Sequence, residues 1–119
     1  MNKSALLLLA SACLTFHANA SVAPASASLV EAAPKGHIER LIAYSRLGNG
    51  DVYLSMEANG EICSSGYFID KSSAGYNGIL SMLMAAYQAN LPIVVYGYKD
   101  THWSGSTNTV CELYNVAYQ

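Results

Sequence analysis

The sequence predicts a β-rich α+β domain whose elements run β-β-β-α-β-β, and three observations carry that expectation. Two Asn-Gly pairs, Asn49-Gly50 and Asn59-Gly60, stand between apolar-rich runs. Apolar residues then recur at helical spacing at Tyr76, Ile79, Leu80, Leu83 and Tyr87. After them come two strand-like runs, residues 93–98 (IVVYGY) and 109–118.

The elements follow in order. Both central positions of a type I′ turn need positive φ, which Asn and Gly tolerate best, so each Asn-Gly pair predicts a hairpin. The result is a three-strand meander over residues 38–46, 51–56 and 62–70. In the second strand Val52, Leu54 and Met56 alternate with Tyr53 and Ser55. One face is thereby assigned to the core and the other to solvent or a partner. Residues 71–75 (KSSAG) break the strand pattern, and Ser72 or Ser73 is placed to cap a helix over 76–89 that stops at Asn90, just before Pro92. Gly78 weakens the first turn of that helix by roughly 1 kcal/mol relative to alanine without overturning it.

No charged residue occurs between Lys71 and Lys99. A helix apolar on more than one side expects cover on more than one side. With Met82, Met84, Ala85 and Ala89 on the face away from Leu80 and Leu83, the expectation is a homo-oligomer with an interface at Leu80, Met82, Leu83, Met84 and Tyr87. The alternative is that Asn77, Ser81 and Gln88 are polar enough for an exposed face. The element order is that of the five-stranded oligonucleotide/oligosaccharide-binding (OB) barrel, in which a helix joins the third and fourth strands and the third and fifth are neighbours. An OB-like barrel is the expected architecture. An open antiparallel sheet with the helix packed on one face fits the same string.

The N-terminus addresses compartment. Lys3, an apolar run through Leu6, Leu7, Leu8 and Leu9, and Ala18-Asn19-Ala20 read as a secretory signal peptide, residues 1–20, cleaved after Ala20. Cys13 after Ala10-Ser11-Ala12 offers the alternative of lipidation. Residues 21–36, rich in Ala, Ser and Pro, read as a flexible leader ahead of a single domain over 37–119. No stretch reaches the roughly 20 apolar residues of a membrane helix. The expected location is periplasmic or secreted. Cleavage leaves Cys63 and Cys111, which in an exported domain make one disulfide.

Composition narrows the partners. Without Lys3 the permanent cations are Lys35, Arg40, Arg46, Lys71 and Lys99, against 8 carboxylates. Such a chain lacks the basic stripe that a phosphate backbone requires, which argues against nucleic acid. Tyrosine is abundant, with 9 residues and Trp103 against 2 phenylalanines, and suits half-exposed strands and binding faces alike.

The loop KDTHWSGSTN at 99–108 is the candidate ligand site. An indole can cover the apolar C–H face of a sugar, and Asp100, His102, Ser104 and Asn108 can bond its hydroxyls; Tyr96 and Tyr98 can extend the face. Loop composition alone gives the same residues, and the alternative is that Trp103 closes one end of the fold. Catalysis is not expected: His37 and His102 with Glu39, Asp100 and Ser104 form no known signature, and no Gly-x-Ser-x-Gly, His-Glu-x-x-His or phosphate loop is present. A small hydrolase is the remote alternative. Neither a cofactor nor a metal is expected, since two separated histidines form no site.

With its leader, a mature domain of about 99 residues (119 less 20), the cysteine in Ile62-Cys63, one apolar helix and the strand at 93–98, the chain resembles the small exported B subunits of AB5 toxins of the subtilase and pertussis-like group. The resemblance is one of layout and covers roughly 50–118. It is similar also to short exported bacterial proteins with the same helix–strand–tryptophan-loop arrangement. The first resemblance implies a pentameric ring with helices around a pore, a glycan-binding face and a catalytic A subunit as partner. The second leaves a protein-binding accessory or inhibitor as the alternative function.

Overall fold

The computed structural model describes residues 28–119. The signal peptide, its cleavage site, the Cys13 alternative and the first part of the leader lie outside the described residues. Six strands and one helix follow in the order β1 (Val30–Ala32), β2 (Ile38–Ala43), β3 (Val52–Met56), β4 (Tyr67–Ile69), α1 (Tyr76–Ala89), β5 (Val94–His102) and β6 (Cys111–Ala117). They form one sheet in the order β1-β5-β6-β4-β3-β2. β4 and β6 run parallel, and the other neighbours are antiparallel.

The β-rich α+β class and the pairing of the third and fifth predicted strands, here β4 and β6, are as expected. The closed barrel is not. Closure would require β2 to meet β5, but the outer edge of β5 is already taken by β1, with Val30 opposite Tyr98 and Ala32 opposite Tyr96. The open-sheet alternative therefore describes the fold, as a mixed sheet with one parallel pair. β1 comes from the segment read as leader, and Gly36 adds a bridge to Ile93.

The two faces differ because side chains alternate along each strand. Val52, Leu54 and Met56 of β3, Tyr67 and Ile69 of β4, Val95 of β5 and Leu113 of β6 point to one face, where α1 covers them with Tyr76, Leu83 and Ala86. This corrects the interface expectation at two residues. Leu83 is 0% exposed and Leu80 packs against the same core, so both are spent within the domain. Met84 and Tyr87 do face solvent. The helix has the expected bounds, but neither Ser72 nor Ser73 caps it. Gly75 is the N-cap with no side-chain bond, because Ser72 bonds the Asp70 carboxylate instead. The first turn is anchored by Tyr76, whose hydroxyl donates to the Gly50 carbonyl at 2.8 Å beneath Lys71 Nζ.

The hairpins are longer than the Asn-Gly pairs predict. Between β2 and β3 the chain makes a 3-10 turn, Leu47–Asn49, and positive φ occurs at Gly48, Asn49 and Gly50. Gly48 must lack a side chain, since a Cβ there would lie 1.8 Å from the Asp51 carboxylate. Between β3 and β4 the connection spans 57–66. Asn59 and Gly60 have no positive φ; Asn59 Oδ1 instead accepts the Met56 N–H at 2.9 Å. That connection carries Cys63, which is bonded to Cys111 at the start of β6 as expected.

Glu31, in the middle of β1, clamps the same connection. Its carboxylate accepts N–H bonds from Glu61, Ile62 and Cys63 at 2.8 to 3.1 Å. Burial pushes its pKa up, but these three N–H groups and the Lys99 charge more than offset that, and it lies below the usual carboxylate value.

Two outcomes are expected. The Cys63→Ser/Cys111→Ser double variant loses up to about 4 kcal/mol in urea unfolding, the closure entropy of a loop this long. Glu31→Gln lowers the urea midpoint at neutral pH. Because the folded pKa is depressed, the wild-type advantage holds above the unfolded value and vanishes as pH falls through the folded one, so the two midpoints converge in acid.

Candidate functional site

The face away from α1 is built from the second set of alternating residues. Tyr53 of β3 stands directly opposite Phe68 of β4. The indole of Trp103 lies over this pair, stacked at ring-centroid distances of 6.0 Å to Tyr53 and 5.9 Å to Phe68, with Tyr44 tilted against it at 5.4 Å. Val110 completes this smaller apolar cluster. Trp103 is 6% exposed and belongs to the core of this face.

The buried Asp51 carboxylate fixes it there. One oxygen accepts the Trp103 Nε1–H at 2.9 Å and the other the Lys71 backbone N–H at 2.9 Å. Both oxygens of this buried carboxyl group thereby have a hydrogen-bond partner. Nearby, burial and the neighbouring Asp70 raise the pKa of Glu112, a Ser73 hydrogen bond pulls the other way, and Asp51 adds to the rise.

Beside the aromatic cluster lies an open-sided groove of about 420 Å³. Its first wall is β2. The register shifts between Ile38 and Arg40, and with this irregularity both Glu39 and Arg40 line the groove, followed by Ile42. Its floor is Tyr53 and Ser55 with an edge of Trp103, and its second wall is the 103–110 loop through Ser106 and Asn108. Asn59 and Ser65 close one end. The Tyr53 hydroxyl donates to the Ser65 carbonyl at 2.8 Å, which leaves its oxygen free to accept.

Of the residues the sequence singles out, the structure brings Trp103 and Asn108 to this groove. Asp100 and His102 are not in the loop at all, because β5 continues through them as an exposed strand end, with His102 Nε2 at 2.9 Å from the Lys99 carbonyl. Ser104 is exposed beyond the groove lining. Tyr96 and Tyr98 lie at the other end of the sheet, where Tyr98 meets Tyr114 edge to face at 5.2 Å. Sequence reasoning passed over Glu39, Arg40, Ser55 and Asn59. The alternation of Tyr53 and Ser55 against the core residues of β3 was the one signal that pointed to this face.

No protein-family model, no curated protein and no solved structure matches the chain.

Trp103→Ala is expected to cost about 3–5 kcal/mol, as for other buried aromatics, rather than to behave as a surface binding variant. Asp51→Ala strands the indole N–H and the Lys71 N–H, costing roughly 1–3 kcal/mol for each. Urea unfolding followed by far-UV circular dichroism measures both, since Trp103→Ala removes the single tryptophan.

Proposed function

We propose that the chain is a non-catalytic, exported binding module whose groove between β2, β3 and the 103–110 loop takes a saccharide. The observation that carries the reading is the composition of the groove. Amides from Asn59 and Asn108, hydroxyls from Ser55 and Ser106, and the Glu39 and Arg40 charges ring an aromatic floor edge. Hydroxyl-rich ligands need that density of paired donors and acceptors, and their C–H faces need the rings. The volume lies within the range of small-ligand sites.

A binding role is supported over a catalytic one by the two histidines among the described residues, which are engaged away from the groove: His37 Nδ1 sits 3.2 Å from Glu57, and His102 bonds the Lys99 carbonyl. The disulfide and the absence, among the described residues, of a helix long and apolar enough to cross a membrane accord with export. In this reading self-association rests on the exposed Met84 and Tyr87. A protein-binding accessory role is the second reading, favoured by the exposed Tyr114 beside Tyr98.

Glycan-array binding of the mature chain tests the choice. Arg40→Ala and Asn108→Ala, both exposed changes, are expected to keep the unfolding midpoint and lower glycan affinity about tenfold or more, the equivalent of losing one good charged or paired hydrogen bond. His102→Ala is expected to leave binding intact. Unchanged glycan affinity in a folded Arg40→Ala/Asn108→Ala double variant sinks the groove, and loss of protein capture on Tyr114→Ala would favour the second reading.

A further inference from the structure

The contact between Glu31 and the 57–66 connection is a ligand-like contact made within one chain. Three successive backbone N–H groups, those of Glu61, Ile62 and Cys63, converge on one carboxylate, the arrangement of an anion-binding nest. The nest is held by groups other than β1. Cys63 is bonded to Cys111, Tyr67 Oη accepts the Gly60 N–H at 2.9 Å, and the Asn59 side chain bonds both the Met56 N–H and the Ser64 carbonyl.

β1 itself has little apolar hold. Val30 is half-buried and Ala32 exposed; only Ala33, just beyond the strand, is buried. What seats it is the main-chain ladder along β5, seen in Lys99 N–H to the Leu29 carbonyl at 3.0 Å and Ala33 N–H to the Val95 carbonyl at 2.9 Å, together with the carboxylate. Main-chain bonds for affinity and one pocketed side chain for register are the terms by which a peptide adds to a sheet edge.

We propose that the outer edge of β5 and the 61–63 nest form a strand-addition site for an extended segment with a carboxylate opposite Gly97, filled in cis by residues 29–33 and open in trans to the same segment of a second copy. The second copy is the fitting occupant on charge and register. Its Glu31 meets the nest and Lys99, and small Ala32 and Ala33 follow in the positions that the edge accepts. Exchange of one identical element between copies requires no contact that the single chain does not already make.

The probe is a fluorescein-labelled peptide of residues 28–35 (SLVEAAPK) and its Glu31→Gln counterpart, titrated by anisotropy into the mature chain carrying Glu31→Ala. The Glu peptide is expected to bind about tenfold more tightly than the Gln peptide, the worth of a charge-assisted contact, and about tenfold more tightly to this variant than to wild type, whose own strand competes. Gly60→Ala places a Cβ 2.3 Å from the position of the Glu31 carboxylate, and in that chain the two peptides are expected to bind alike. If Glu31→Ala does not fold, wild type titrated with both peptides must show the same preference for Glu. Equal affinity for the two peptides, or no binding of either, overturns the proposal.

Discussion

The hydrogen bond from the Trp103 indole to the buried Asp51 carboxylate organises the face that the helix does not cover. Asp51 belongs to the β2–β3 hairpin, Lys71 to the approach to α1, and Trp103 to the loop between β5 and β6, so one side chain joins three connections that share no secondary structure. Removing the carboxylate would leave the buried indole N–H and the part-buried Lys71 N–H without partners, which costs more than the bonds contribute on their own. The hairpin is shaped to admit it. A left-handed Gly48 clears the space that the carboxylate fills, and the groove walls are set by where the Trp103 loop comes to rest.

The β1 side of the sheet rests on the disulfide. Cys63–Cys111 ties the long β3–β4 connection to β6, and the tied connection presents the N–H groups that Glu31 of β1 fills. β1 and the disulfide-held loop lean on each other, since the carboxylate of one bonds the N–H groups of the other. With β1 seated on β5, β2 does not meet β5 as a five-stranded barrel would require, and its outer side remains unpaired among the described residues.

Local features were legible in the sequence and nonlocal ones were not. The helix kept its bounds because five apolar residues at helical spacing and an Asn stop are local signals. The hairpins were placed, yet their turns were not. Asn49 and Gly50 do take positive φ, whereas Asn59 spends its side chain on the Met56 N–H, a contact that no dipeptide rule anticipates. β1 was missed because Val30-Glu31-Ala32 shows no alternating apolar face; what holds it is a carboxylate bonded 30 or more positions away. Trp103 stands out in the sequence as a ligand-site or fold-closing residue, but the Asp51 carboxylate that holds its indole lies 52 residues away and is not marked there. The groove residues Arg40 and Glu39 share a wall with a strand irregularity that the sequence does not mark.

The tyrosines show how one residue type is divided between stability and recognition. Tyr67 is 0% exposed, and its hydroxyl serves as an acceptor inside the core; Tyr76 spends its own on the hairpin carbonyl of Gly50. Burial raises the Tyr67 pKa, partly offset by the Gly60 N–H, so this phenol stays neutral and cannot double as a charged site. Tyr53 is intermediate, with its ring under Trp103 and its hydroxyl bonded to Ser65 at the groove end. Tyr114, beside Tyr98, leaves ring surface in water. A tyrosine with a committed hydroxyl is rigid and can shape a ligand's seat; one with a free hydroxyl can adapt to a flat partner. Tyr53, at the groove, is of the first kind, which fits a small polar ligand held in one pose.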